Sequence, residues 1–198
     1  EPIVEALLLL LLLLLPAVRS SCDDVNDDAA ADLFELTRCM TAAAGLPAYE
    51  VSNHARPGEE SRHNLTYWRY QDYAGIGPGA HGRRGGMATV RHKKPENWLA
   101  AVEAKGDGIA EERPLGKQEQ AVEAVLMGLR LREGIDLAAL TRRFELADTR
   151  LLDFAPVERL QQQGLIWRAG TRLGVSEAGM LLLDAILAEI VAQPLVSA

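Results

Sequence analysis

The sequence predicts an α/β fold that is followed by a small helical, winged-helix-like C-terminal domain. Three observations favour this fold class. In the first two thirds of the chain, segments with apolar residues at helical spacing alternate with short strand-like runs. Glycines follow several of these segments, at positions where helices or strands end. The last third combines three helical patterns, a hairpin pattern and a final helical pattern, which is a winged-helix order.

The composition is typical of an ordinary folded protein with one sizeable core or two small ones. The 198 residues are 48% hydrophobic and 25% charged, which argues against disorder throughout and against a polytopic membrane protein. A net charge of −7 disfavours attraction of the whole molecule to nucleic acid. Two cysteines, Cys22 and Cys39, are too few for a four-thiolate metal site or a disulfide framework. Because the first residue is Glu1, we expect a processed chain or a fragment.

Residues 1–27 form an atypical leucine-rich and acidic segment. Nine consecutive leucines occupy Leu7–Leu15, whereas a membrane-spanning helix needs about 20 apolar residues. The residues before the leucines lack the basic charge of a signal peptide. We therefore expect a low-complexity tract here, without a stable membrane span.

Residues 28–110 are predicted to form terminal β/α elements with a Gly-rich loop. A helix is expected over 28–44, because apolar residues recur at helical spacing and Gly45 follows as a stop. The remaining expected elements are short strands at 48–52, 73–76 and 89–91 and a helix at 95–105.

Residues 111–198 are predicted to form the C-terminal domain. Helices are expected over 117–132, over a short segment capped by Asp136, over 149–163 with a break near Pro156, and from Ser176 to about 191. Strands at 165–167 and 172–175 suit a hairpin. A DNA-reading helix should be basic, and acidic residues balance the arginines of 149–163. We therefore interpret this domain as a packing or interaction module.

Polar and aromatic residues concentrate between residues 54 and 94. This segment has eight Lys or Arg residues against three acids, and it contains all four histidines. Six of the seventeen glycines lie between Gly75 and Gly86. A basic surface loop and a site for an anionic ligand with a flat, stackable part both fit this composition.

The segment 62–69 is dense in groups that bind ligands. His63 is a candidate ligand for a metal or for haem iron, although a lone histidine more often forms only structural hydrogen bonds. Tyr67 and Trp68 are candidates to stack on a flat ring, or to be core and rim residues. Arg62 and Arg69 are candidates to pair with carboxylates, or are simply solvated.

Two neighbouring segments are weaker candidates. Residues 50–54 lie at the end of a predicted strand, where side chains either face a catalytic site or only anchor the loop. The segment 75–82 has G-x-G-x-G spacing, which lets backbone N–H groups approach a ligand. It lacks the G-x-G-x-x-G pattern, so a dinucleotide-binding interpretation is weak.

Three motifs carry a resemblance to a known family. They are YEVSNHARPG at 49–58, SRHNLTYW at 61–68 and DYAGIGPGAHG at 72–82. In combination they resemble the HemW family of radical-SAM haem chaperones, which is related to oxygen-independent coproporphyrinogen III oxidase. The likeness covers about residues 28–192 and continues through MGLRL at 127–131 and EAGMLLLD at 177–184.

The resemblance implies a fold and cofactors. The family has a partial radical-SAM barrel that holds a [4Fe–4S] cluster and S-adenosylmethionine, followed by a smaller helical domain. This chain would supply the last barrel elements and that second domain. The family's C-x-x-x-C-x-x-C motif does not occur in the sequence. We therefore expect this chain alone to hold no cluster and to be inactive as a radical enzyme.

The resemblance also implies site residues in two groups. The expected haem-binding residues are Arg62, His63, Asn64, Tyr67, Trp68 and Arg69. The expected border of the S-adenosylmethionine pocket is formed by Gly75, Gly77, Gly79, Ala80 and His81.

The function implied by the resemblance is that of a cytoplasmic protein that binds haem and delivers it to acceptor proteins, present here as its C-terminal portion. An alternative is an oxygen-independent coproporphyrinogen III oxidase of porphyrin biosynthesis, in the intact chain. A weaker alternative is a winged-helix interaction module carried by residues 115–192. Nucleic acid is not an expected partner.

Overall fold

The computed structural model describes residues 27–191. The predictions made for the leucine run and for Cys22 lie outside these residues. The described residues fall into two units, one ending at Glu60 and one beginning at Ser61. Within residues 27–191, no helix is both long and apolar enough to cross a membrane.

The first unit begins with helix α1, Asp27–Ala43, which confirms the helix expected over 28–44. Its end is fixed by Gly45, whose φ is +80°. The Gly45 N–H donates to the Ala42 carbonyl at 3.0 Å, and the Leu46 N–H donates to the Thr41 carbonyl at 2.8 Å. This pair of bonds is a Schellman motif, which a glycine in the left-handed region makes possible.

The strand expected at 48–52 is not formed among the described residues, and that prediction was wrong. The segment turns back on itself instead, through an isolated antiparallel bridge between Ala48 and His54. The physical reason is local: the Glu50 carboxylate accepts hydrogen bonds from the Ser52 N–H and from the Asn53 amide. Such side-chain bonds to nearby groups compete with extended pairing and favour a turn.

The second unit opens with helix α2, Arg62–Trp68, and a three-stranded antiparallel sheet in the order β1-β2-β3. Its strands and the helix between them are β1 (His81–Arg84), β2 (Met87–Arg91), α3 (Pro95–Lys105) and β3 (Ile109–Pro114). The helix at 95–105 and the strand at 89–91 are confirmed. Of the strand expected at 73–76, only Tyr73 pairs, in a bridge to Arg83. The strands β1 and β3 were missed, because their charged, exposed sequences lack an apolar alternation.

The remainder of the second unit has the order of elements and the sheet of a winged helix. Its second sheet is antiparallel in the order β4-β6-β5. The elements are α4 (Lys117–Gly128), β4 (Ile135–Asp136), α5 (Leu137–Phe144), a 3-10 turn (Asp148–Arg150), α6 (Phe154–Gln162), β5 (Ile166–Ala169), β6 (Arg172–Val175), a second 3-10 turn (Met180–Leu182) and α7 (Leu183–Ile190). The predicted hairpin, the Asp136 cap and the winged-helix-like arrangement are therefore confirmed.

Three boundaries in this region differ from the predictions. Helix α4 ends at Gly128 rather than at 132. Pro156 does not break a helix: Asp153 caps α6 by accepting from the Ala155 N–H, so Pro156 lies in the first turn. A proline is tolerated there because the first turn has no intrahelical acceptors for its N–H groups. Ser176 caps a turn through the Gly179 N–H, and α7 begins only at Leu183.

The apolar core of the second unit lies between the winged-helix elements. Its most completely buried large side chains come from α4, from the segments that follow α4 and α5, and from α6, β6 and α7. They are Val125, Leu129, Leu131, Leu151, Leu152, Val157, Leu173, Ile186 and Ile190. Burial of each such side chain contributes about 1.5–3 kcal/mol to folding, so this core fixes the position of α4.

Two glycines with the same backbone conformation allow a matched test of this packing. Gly134 and Gly170 have φ values of +63° and +60°. A Cβ atom at Gly134 would lie 2.2 Å from the Leu173 carbonyl oxygen, whereas one at Gly170 would meet nothing within 4 Å. We expect Gly170→Ala to cost about 1 kcal/mol of unfolding free energy through backbone strain, and Gly134→Ala to cost about 2 kcal/mol more through overlap. Urea unfolding of both variants measures the difference, and equal losses would contradict the packing described.

Candidate functional site

Helix α2 presents His63 and Tyr67 one turn apart on the same face. Ser61 starts the helix by accepting a hydrogen bond from the Asn64 N–H at 3.3 Å. The Tyr67 hydroxyl lies 2.9 Å from Nε2 of His63, and the two rings meet nearly at right angles with centroids 4.6 Å apart. His63 is exposed and Tyr67 is half-buried. The i, i+4 spacing of the sequence therefore produces a real side-chain pair.

Tyr73 also packs against the Tyr67 ring of this pair. The two tyrosine rings pack edge to face, with centroids 4.3 Å apart. The position of Tyr73 is fixed by two backbone hydrogen bonds with Arg83, of 2.7 and 2.9 Å. Burial raises the pKa of Tyr73, so its hydroxyl stays neutral. Tyr73 thus gives Tyr67 a fixed and uncharged packing partner.

A network of hydrogen bonds between partly buried side chains holds the segment after α2 against α4. Arg83 donates from Nε and Nη2 to both oxygens of Glu123, at 2.9 and 2.8 Å. The Tyr70 hydroxyl donates to the same carboxylate. Tyr70 has a φ of +50°, which is uncommon for a residue with a side chain. Its carbonyl accepts from Arg143 at 2.7 Å, so both ends of the strained residue are held.

The network shifts the protonation equilibria of its members. Burial and the hydrogen bond to Glu123 raise the pKa of Tyr70, and the hydrogen bond to Glu123 raises that of Arg83. Burial acts to raise the pKa of Glu123, but the hydrogen bonds from Arg83 and Tyr70 outweigh it, and the pKa lies below its ordinary value. Glu123 and Arg83 therefore stay ionised and paired near neutral pH.

The remaining candidate residues of α2 and its C-terminal flank have surroundings that differ from those of the His63–Tyr67 pair. The Arg130 guanidinium lies 5.5 Å from the Trp68 ring centroid, and the Trp68 indole N–H is buried without a hydrogen-bond partner among the described residues. Trp68 lines a cavity of about 230 Å³. Arg69 binds both oxygens of Glu133, at 2.8 and 3.0 Å. The exposed Arg62 lies at the start of the helix. The structure thus brings His63 and Tyr67 together, but not Trp68 or Arg69 with them.

The Gly-rich loop folds back on itself. A Cβ atom at Gly75 would lie 2.3 Å from the His81 carbonyl oxygen, so only glycine permits this approach. Gly77 and Gly79 have φ values of +94° and +73°. Ala80 accepts a hydrogen bond from the Arg91 N–H at 2.9 Å, which joins the loop to β2.

A cavity of about 460 Å³ borders this loop and the sheet. Tyr73, Gly75, Arg84 and Arg91 are among its lining residues. Of the five residues predicted to border an S-adenosylmethionine pocket, Gly75 lines this cavity. Arg91 also donates from Nε to the Gly75 carbonyl. The lining therefore includes two arginines together with one acidic residue, Glu112.

In the first unit, the run 50–54 anchors a turn. His54 Nδ1 lies 2.8 Å from the Thr41 hydroxyl, and burial lowers the pKa of His54, with a further contribution from Arg38. Glu50 is only 2% exposed. Its Oε1 accepts the bonds that close the turn, while Oε2 has no hydrogen-bond partner among the described residues.

Sequence reasoning missed four residues that shape the site. They are Tyr70, Tyr73, Arg83 and Glu123. Tyr70 and Tyr73 follow Tyr67 at intervals of three residues, and this spacing is a signal that could have grouped these tyrosines. No local pattern marks Glu123 as the partner of Arg83, because 40 residues separate them.

The described residues do not fit an iron–sulfur cluster. Such clusters are held by several cysteine thiolates, and residues 27–191 contain only Cys39, which is exposed. In the same range, no group of three or more His, Cys, Asp or Glu side chains is placed to hold a metal ion.

A family model matches the winged-helix part of the second unit. The model, described as the HemN C-terminal domain, matches residues 115–182. These residues run from the start of α4 to the turn before α7, which is the winged-helix part of the structure.

Curated relatives match a longer part of the chain. "Radical S-adenosyl methionine domain-containing protein 1, mitochondrial" from Bos taurus is 37% identical over 172 residues, covering 81% of this chain and 38% of that protein. "Heme chaperone HemW" from Mycobacterium tuberculosis is 37% identical over 163 residues, covering 82% of this chain and 39% of that protein. The chain therefore spans about two fifths of the length of these relatives.

A solved structure supports the fold. The chain resembles coproporphyrinogen III oxidase (HemN) from Escherichia coli, a radical SAM enzyme, with a TM-score of 0.63. The match covers 82% of this chain and 41% of that one, at 17% identity. At this identity the likeness shows the fold alone.

Together these findings assign the chain to a class, the C-terminal portion of HemN-like radical SAM proteins. Within that class, the identities of 31–37% to proteins named HemW specify a HemW-type C-terminal portion. The resemblance drawn from the three sequence motifs is thereby confirmed.

The Arg83–Glu123 pair gives a prediction about stability. Its side chains are about one fifth exposed, 22% and 21%, whereas those of the Arg69–Glu133 pair are 45% and 42% exposed. We expect Glu123→Gln to lower the free energy of unfolding by about 3 kcal/mol, because it leaves a mostly buried arginine without its counter-charge. The matched control Glu133→Gln should cost less than about 1 kcal/mol. Chemical unfolding measures both, and similar losses would argue against a structural role for Glu123.

The lowered pKa of Glu123 predicts a dependence of stability on pH. The folded state favours the ionised carboxylate, so its contribution is fully present above the ordinary pKa of 4.5 and is lost as the pH falls through the folded-state pKa. Between pH 7 and 3, the unfolding free energy of the wild type should therefore fall more steeply than that of Glu123→Gln. Parallel curves for the two proteins would show that Glu123 does not titrate in this way.

Proposed function

We propose that this chain is the haem-binding C-terminal portion of a HemW-type protein, which binds haem and passes it to acceptor proteins. The observation that carries the proposal is the His63–Tyr67 pair on the accessible face of α2. It lies in SRHNLTYW, one of the three motifs that carry the resemblance to the HemW family, and relatives of this chain are named heme chaperones. Haem is the cargo of this function rather than a resident cofactor.

The residues of α2 fit such a cargo. Imidazole and phenol oxygen are both axial ligands of haem iron in proteins. Both groups are reachable from solvent, since His63 is exposed and Tyr67 is half-buried. An exposed ligand is also one that an acceptor protein can approach, as delivery requires.

The haem propionates need cationic partners, and Arg62 is the better candidate for this role. Arg69 already has a bidentate pair with Glu133, and a second carboxylate would have to compete with it. Arg62 is the exposed first residue of α2, one residue before His63. We therefore propose Arg62, His63 and Tyr67 as the primary haem contacts, with Asn64, Trp68 and Arg69 in supporting positions.

S-adenosylmethionine and a [4Fe–4S] cluster belong to this proposal only through the intact protein. The bordering role of Gly75, Gly77, Gly79, Ala80 and His81 in an S-adenosylmethionine pocket stays a prediction. A cytoplasmic location also stays a prediction, because some relatives are named as mitochondrial proteins. The oxidase alternative has the support of the fold alone.

A haem titration of the full chain tests the proposal. We expect saturable binding of ferric haem, followed by Soret absorbance. The double variant His63→Ala, Tyr67→Phe should raise the Kd at least tenfold, equivalent to about 1.4 kcal/mol. The matched control His92→Ala, Tyr49→Phe removes the same groups at positions outside the 62–68 segment of the sequence and should leave the Kd within about twofold. Absence of saturable binding, or an equal effect of both double variants, would overturn the proposal.

A further inference from the structure

The cavity of about 230 Å³ that is lined by Trp68 combines apolar walls with more hydrogen-bond donors than its own residues use. We propose that this cavity binds the carboxylate of a small organic anion that also has an apolar part. The proposal goes beyond the haem-binding function and does not depend on it.

The walls of the cavity are formed by close packing. Two glycines of the lining stand where no side chain fits. A Cβ atom at Gly128 would lie 2.4 Å from Cγ2 of Ile135, and one at Gly134 would lie 2.2 Å from the Leu173 carbonyl oxygen. The shape of the cavity is therefore fixed before a ligand arrives, which lowers the conformational cost of binding.

The size of the cavity limits the ligand to a small molecule. Drug-sized ligands occupy pockets of roughly 300–1,000 Å³, whereas a cavity of about 150 Å³ holds benzene. Leu131, Ile135 and Leu140 provide apolar lining for the uncharged part of the ligand. The cavity therefore suits one ring, or a short chain, that carries a carboxylate.

The two acidic residues of the lining already have partners. Arg69 donates to both oxygens of Glu133. The Asp136 carboxylate accepts hydrogen bonds from the Ala139 N–H and from the Thr171 side chain. The other donors of the lining are therefore not needed to neutralise these carboxylates.

Those other donors are in excess. Arg143 and Arg172 each donate one hydrogen bond to a backbone carbonyl among the described residues, those of Tyr70 and Glu133 respectively, although a guanidinium has five N–H groups. The buried indole N–H of Trp68 has no acceptor in the described part of the chain, which is costly. Three arginines against two acids give the lining a net charge of +1. A carboxylate supplies both the missing acceptors and the opposite charge.

Benzoate is the probe that tests this site, and benzamide is its uncharged counterpart. In ¹H–¹⁵N NMR spectra of the full chain at constant ionic strength, the Trp68 indole resonance should shift saturably with benzoate. The indole resonances of Trp98 and Trp167 should stay in place, and Trp68→Phe identifies the resonance of Trp68. Benzamide should bind at least tenfold more weakly, because it lacks the charge.

Two matched pairs of variants locate the site. Ala139→Leu fills the exposed edge of the cavity and should raise the Kd for benzoate at least tenfold. Ala138→Leu makes the same change at a residue that lines a different cavity, and it should leave the Kd within about twofold. Arg172→Gln removes a charge of the lining and should raise the Kd at least fivefold, whereas Arg168→Gln on the same hairpin should not.

The outcomes also separate this proposal from the haem-binding function. Absence of a saturable Trp68 shift, an equal affinity for benzamide, or equal effects within either pair of variants would overturn it. A haem titration at saturating benzoate distinguishes two sources of the carboxylate. Competition identifies a haem propionate, and independent binding identifies a separate small anion. Because benzoate binding is measured without haem, a failure of the haem-binding function leaves this result intact.

Discussion

The candidate site in the second unit depends on the hydrogen bonds that the Glu123 carboxylate accepts. It accepts two hydrogen bonds from Arg83 of β1 and one from Tyr70, so it joins α4 both to the small sheet and to the segment after α2. A mostly buried charge is stable only when it is paired and fully hydrogen-bonded. The three side chains must therefore be placed together, and the backbone at Tyr70 takes a strained conformation to allow this.

Through Tyr73, this constraint also determines the position of the accessible pair on α2. Arg83 holds the backbone of Tyr73, the Tyr73 ring supports Tyr67, and Tyr67 is hydrogen-bonded to His63. The accessible pair on α2 thus rests on a series of contacts that begins in the core of the winged-helix part. A short helix of seven residues has little stability of its own. The face of α2 that carries His63 and Tyr67 is ordered because the C-terminal flank of the helix is fixed.

The family relationship gives these contacts a functional context. The family model covers the winged-helix part, whereas α2 and the Gly-rich loop lie before the residues it matches. The longer matches to curated relatives include both regions within about 80% of this chain. The residues that we connect with haem are thus supported structurally by a domain of HemN type. The winged-helix part and the segment that we propose to bind haem are therefore parts of one unit.

The sequence by itself determined the family, the longer helices and the C-terminal hairpin, but not α2, β1 or β3. Helix α3 was predicted with its bounds, since Pro95 and Gly106 mark its ends and apolar spacing marks its length. The sequence analysis did not predict helix α2, although its i, i+4 spacing puts His63 and Tyr67 on one face once the helix is known. Only the tertiary structure decided that Trp68 and Arg69 have other partners, that residues 48–52 form a turn, and that Glu123 joins Arg83. The reason is physical: helix periodicity and caps act over a few residues, whereas the partner of a buried charge is chosen by packing across 40 residues of chain.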